Sequence, residues 1–171
     1  MGKRILKYTV IIIGITLLFS LDFLRDYFFK NVQFQAYYIS HLDNNQVSSV
    51  ENYTDSLLEP LLSGLSITDL FYLKWIGSAF FITLFAVTGA LLNFFVYDNK
   101  KVFVYFFSLY GFLTVIAVLI YGIIYLTNNY EQQNRLYLTS MQIAHFLQSS
   151  LPSLLFLVSF KLYQDSANNG N

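Results

Sequence analysis

Four stretches of the chain are nearly free of charge, and the polar residues gather between them. Residues 75–97 and 102–130 contain no charged side chain, residues 136–160 contain only His145, and residues 5–21 are interrupted only by Lys7. About 20 mostly apolar residues are enough to cross a bilayer as a helix. A lysine near a helix end can extend its ammonium to the headgroups while its stem stays in the apolar layer. The pattern therefore predicts an all-α membrane protein. We expect one transmembrane domain over residues 1–171, a four-helix bundle with spans near 5–24, 72–97, 102–127 and 138–162. A partly helical outer loop, residues 26–71, joins the first two helices.

Lipid gives helices no hydrophobic reason to associate, so close packing falls to small residues. Ala79, Thr83, Ala86, Ala90 and Asn93 follow one another at steps of four and three, which is one helical face. Ser108, Gly111, Val115, Val118 and Gly122 repeat those steps in the next span. The two stripes are expected to face each other. They are too apolar for a pore lining, with Asn93 as the one polar candidate for a transport path.

Composition agrees. The chain is 56% hydrophobic and 12% charged, whereas soluble domains carry about 25% charged residues. It has no cysteine and a net charge of zero. That removes disulfides, thiolate metal sites and cysteine nucleophiles, and no basic block invites nucleic acid. Lys3, Arg4, Lys7, Lys100, Lys101 and Lys161 share one side of a four-span topology. The other side holds Arg25, Lys30, Lys74 and Arg135. Lysine and arginine collect in the cytoplasm, so both termini are expected there, in the inner membrane of a bacterium. The basic start and apolar run also suit a signal peptide. The stretch LLFSLDF, however, lacks the small residues a signal peptidase requires, so an uncleaved anchor is expected.

The outer loop carries local signals. Ser48–Glu51 and Ser66–Asp69 read as capping boxes, in which side chain and backbone satisfy one another at a helix start. Leu57, Leu58, Leu61 and Leu62 form an apolar stripe on a short helix, which tolerates Pro60 only in its first turn. Asn52-Tyr53-Thr54 matches a glycosylation triplet, and His41 with Asp43 offers two metal-type ligands. Both are weak patterns.

The candidate chemistry is polar residues near apolar spans. Asp22, Arg25 and Asp26 share one helix face by spacing. An arginine between two carboxylates satisfies itself, and such a cluster serves either as a membrane-exit signal or as a grip on a partner. In the last span Gln142, His145, Ser149 and Ser153 are expected on one face, Arg135 lies at its start, and Pro152 is expected to kink it. Short connections set consecutive helices side by side, and closing the bundle returns the fourth to the first. Arg135 or His145 is then expected near Asp22 or Asp26, lining an outward-facing cleft.

Three short stretches, RDYFFKNVQFQ, YLKW and LQSSLPSLLFL, resemble a group of small four-span Bacteroidetes membrane proteins associated with exosortase systems. The group reads like Arg-Asp-Phe-x-Phe-x-Asn at the first. At the third, Ser150 and Leu151 stand before the proline. The resemblance implies an accessory role with no defined chemistry and an exosortase-like membrane partner. The sorting enzyme itself needs a cysteine, which this chain lacks.

The expected function is therefore a non-catalytic accessory or scaffold protein of the membrane, serving protein sorting or surface export. Its expected partners are the bilayer and a membrane protein, with no cofactor or metal. The alternatives are a small transporter or channel subunit, or a membrane-embedded enzyme in which Asp22, Arg25, Arg135 and His145 converge.

Overall fold

The computed structural model describes residues 2–42, 57–124, 126 and 130–169, and among them there are helices and turns but no strand. Six helices follow in order: α1 (Gly2–Leu42), α2 (Glu59–Leu62), α3 (Ile67–Tyr97), α4 (Lys100–Ile124), α5 (Tyr130–Leu147) and α6 (Leu151–Asn169). Three are long and apolar enough to cross a membrane: α1, α3 and α4. The pair α5–α6 counts as a fourth if its 67° bend belongs to one broken span. These features suggest an integral membrane protein. The His41 and Asp43 side chains, the Ser48–Glu51 box and the Asn52 triplet lie outside the described residues.

The first helix runs past the expected end of its span. Its 41 residues extend about 60 Å at 1.5 Å per residue, twice a hydrocarbon core of about 30 Å. Residues 15–42 contain neither glycine nor proline, so nothing in the backbone stops the helix where the polarity changes. The segment 26–42, expected as the start of a partly helical outer loop, is helical throughout. The start of α3 follows the capping-box reading. Ser66 N–H and Oγ donate to Asp69 Oδ2 at 3.0 and 2.6 Å, and Asp69 N–H donates to Ser66 Oγ at 3.2 Å.

The chain divides into two compact units, Phe23–Phe81 and the remainder, Met1–Asp22 with Ile82–Asn171. In Phe23–Phe81, Val32 from α1, Leu62 from α2 and Leu70 from α3 are buried together, with Phe28, Ala36, Ile39, Leu58, Leu65 and Leu73 against them. Pro60 sits in the first turn of α2. The leucine stripe there is only half used: Leu58 and Leu62 pack, while Leu57 and Leu61 are exposed. Gly77 leaves room for the Phe28 ring, since a Cβ there would lie 2.4 Å from it.

The second unit packs large residues against small ones. Ala86, Gly89 and Ala90 of α3 are buried. A Cβ on Gly89 would stand 2.1 Å from Ser153 Oγ and 2.6 Å from the Phe106 ring. Phe106 in turn meets Tyr110 in a tilted contact at 4.8 Å and Phe156 edge-on at 5.2 Å between ring centroids. The face of α4 that packs is therefore Val102, Phe106, Tyr110 and Ala117. This corrects the expectation for α4: Ser108, Gly111, Val115, Val118 and Gly122 all lie on its exposed side. On α3, Ala86, Ala90 and Asn93 are buried as expected, whereas Ala79 and Thr83 are exposed. Small residues on one helix receive large ones from the next, so two matching small stripes were not needed.

Helices α3 and α4 are joined by two residues. Asp98 adopts φ of 51° and donates its N–H to Phe94 O at 2.8 Å, closing α3. Asn99 Oδ1 accepts from Lys101 N–H at 2.9 Å and caps α4.

Two substitutions should move stability in opposite directions in detergent-solubilised protein, followed by the fluorescence of the single tryptophan. Gly89→Ala should cost about 1–3 kcal/mol by overpacking. Asp98→Gly should gain about 1 kcal/mol, because glycine carries no penalty in the left-handed region.

Candidate functional site at a broken helix

A helix interrupted in an apolar setting must find other partners for its freed backbone groups. Between α5 and α6 the break falls at residues 148–150, just ahead of Pro152. Proline has no N–H to give to Gln148 O, so the helix cannot run straight through without loss. Most backbone N–H groups around the break are satisfied locally. Gln148 N–H donates to Ala144 O at 3.0 Å. Ser149 donates to Phe146 O through both N–H, at 3.2 Å, and Oγ, at 2.7 Å. Leu151 N–H reaches Ser149 Oγ at 3.4 Å, and Leu154 N–H returns to Ser150 O at 3.1 Å.

One group is satisfied from another helix. Ser150 N–H donates to the Asp22 carboxylate, at 3.4 Å to Oδ1 and 3.2 Å to Oδ2. Asp22 thus caps α6 from α1, and the partial positive charge of a helix N-terminus favours a carboxylate there. Below this contact, Ser153 is fully buried and Tyr110 is 2% exposed. The Tyr110 hydroxyl faces Ser153 Oγ and feels the charge of Asp22. Neither hydroxyl closes a hydrogen bond of good geometry. Tyr110 is ten residues into α4, about 15 Å from its start.

The same seam continues down α3 and α6. Asn93 is fully buried and donates Nδ2–H to Gly89 O at 2.8 Å. One turn further, the Tyr97 hydroxyl donates to Leu157 O, and its ring meets Phe160 at 4.8 Å. Tyr97 holds α6 to α3 by a hydrogen bond and Ser153 packs against Gly89, while the Asn93 bond stays within α3.

The expected cluster is distributed differently. Asp22 belongs with α6, as described. Arg25 pairs with Asp26, donating Nε–H at 3.0 Å and an Nη2 proton at 2.6 Å to the same carboxylate oxygen. The Arg25 side chain is 14% exposed and that of Asp26 70%. Arg135 donates to Glu131 Oε1 at 2.8 Å, one turn back on α5. Gln142 and His145 are exposed on α5, whereas Ser153 is buried on α6. The break separates residues that a continuous helix would hold on one face. Among the described residues no group of three or more acidic, histidine or cysteine side chains could hold a metal.

Tyr110 and Ser150 were not among the expected site residues. Tyr110 was hidden in an aromatic-rich span, where one hydroxyl among many rings gives no signal. Ser150 contributes a backbone N–H, which leaves no trace in residue type beyond the nearby proline.

Compared with known proteins, the chain matches no family model, no curated protein and no solved structure.

Replacing Asp22 tests the cap. Asp22→Ala should lower unfolding stability by about 1–3 kcal/mol, the range for a charged hydrogen-bond partner. Asp22→Asn keeps an acceptor oxygen and should lose less. The order wild type, Asn, Ala in thermal unfolding checks this. Equal stability of the three would show that Asp22 does not hold the break.

Proposed function

We propose that this chain is a non-catalytic accessory or scaffold subunit of a larger membrane assembly. In this reading α1, α3, α4 and the broken pair α5–α6 form a four-helix bundle. It lies in a bacterial inner membrane with both termini in the cytoplasm.

One observation carries the proposal. On α5, Glu131, Arg135, Leu138, Gln142 and His145 are all exposed and follow one another at steps of four and three. The opposite face holds buried Ser140, whose Oγ donates to Ala117 O of α4 at 2.9 Å, and buried Leu147. So α5 packs on α4 with one side and presents a polar seam on the other. Ionisable and amide side chains within a span rarely face lipid, because hydrocarbon offers them no hydrogen bonds. If α5 crosses the membrane, another polypeptide must cover this seam, and covering it is what an accessory subunit does. The sequence resemblance supports an exosortase-type sorting system as the setting.

A second reading, a small transporter subunit, is favoured by Asp22 at the break in α5–α6. Interrupted helices with a charged group at the break are a recurring device for binding substrates and ions.

Reporter fusions test the topology. A reporter active only in the cytoplasm should be active after Lys100 and silent after Leu126, and the reverse pattern would refute the orientation. Gentle solubilisation and native-mass measurement test the assembly. The chain should migrate as a complex, and Gln142→Leu with His145→Leu should release it. A bare monomer in the wild type would end the scaffold reading.

A further inference from the structure

We infer that the polypeptide covering the α5 seam is a second copy of this chain, paired about a two-fold axis along the membrane normal. This rests on the reading that α5 crosses the membrane and that its polar seam is covered.

The spacing defines the shape of the occupant. Steps of four and three average 3.5 residues, the repeat that keeps one seam facing a partner helix over several turns. The seam runs from Glu131 to His145, with Leu138 at its centre 49% exposed. A single helix fits such a strip.

The side chains define its chemistry. Copies inserted with the same topology are related by an axis along the normal, so the α5 helices run parallel and each residue meets its own image. Only certain side chains can bond to their own image. A glutamine amide both donates and accepts, and so does a neutral imidazole. Gln142 and His145 are of this kind, and Leu138 pairs with its image by packing alone. The charged turn is compatible as well. Glu131 and Arg135 are joined at 2.8 Å and sum to zero, so two such turns can exchange partners without net repulsion. Polar side chains of this kind across membrane helices typically contribute about 0.6–2 kcal/mol each.

The exposed side of α4 offers the rival surface. Its Ser108, Gly111, Val115, Val118 and Gly122 are compatible with lipid and do not require cover.

The chain has no cysteine, so single cysteines can be placed without removing any. The experiment uses the full chain in native membranes, carrying Leu138→Cys or Val118→Cys, oxidised and sized without reductant. Leu138→Cys should give a product of twice the chain's mass, and Val118→Cys should give several-fold less. Adding Gln142→Leu to Leu138→Cys should cut the yield several-fold, while Gln142→Asn should retain most of it. Doubling confined to Val118→Cys would overturn the inference by moving the contact to α4. A product of another mass at Leu138→Cys would also overturn it, leaving the scaffold reading intact with a different partner. If Leu138→Cys gives no product and reacts with a lipid-soluble maleimide as fast as Phe112→Cys, the seam faces lipid and both readings fall.

Discussion

The interruption between α5 and α6 requires partners for its freed backbone groups, and much of the second unit is arranged around meeting that need. Five of the contacts are local, through Ser149 and the turns beside it. The one from outside is the Asp22 carboxylate, which brings α1 to the start of α6. Once α6 is held there, Ser153 must fit beneath it, which requires Gly89 on α3. Gly89 in turn opens the space taken by Phe106, and Phe106 packs tilted against Tyr110 and edge-on to Phe156. A proline that deletes one hydrogen bond thus accounts for a polar contact, a glycine and an aromatic cluster that involve three other helices.

Two kinds of polar residue follow from this arrangement. Tyr110, Ser153 and Asn93 are buried among the helices, and Asp22 bonds from α1 to the start of α6. Arg135, Gln142 and His145 are exposed along α5, on the side away from its contact with α4. The inner group explains how the chain holds its own fold. The outer group has meaning only in company, which is why it and not the inner group supports the proposed function.

Much of the architecture was legible in residue order. Long charge-free runs correspond to α3 and α4, the Ser66–Asp69 box starts α3, Pro60 lies in a first turn, and Pro152 stands at the break. The end of α1 was not legible from polarity, because Asp22, Arg25 and Asp26 change the solvent a helix prefers without disturbing its backbone. The packing face of α4 was misread because small residues mark a close approach only when the neighbour lacks a large side chain to fill the space. Here Phe106 and Gly89 supply the opposite solution. The expected face of Gln142, His145, Ser149 and Ser153 assumed one continuous helix, and a bend of 67° removes that premise. Arg135 was correctly singled out as polar, but spacing alone offered it Glu131 as readily as a distant aspartate.

The two-residue link between α3 and α4 bears on how the chain enters a bilayer. Asp98 and Asn99 are committed to closing one helix and opening the next, so the connection holds no slack. Neither helix can slide along its axis by a turn without dragging the other or unwinding a cap. The pair would therefore enter a bilayer as one hairpin, with depth set by the tip rather than by either helix alone. Lengthening either helix by a few residues would then shift its far end and leave the tip where it is.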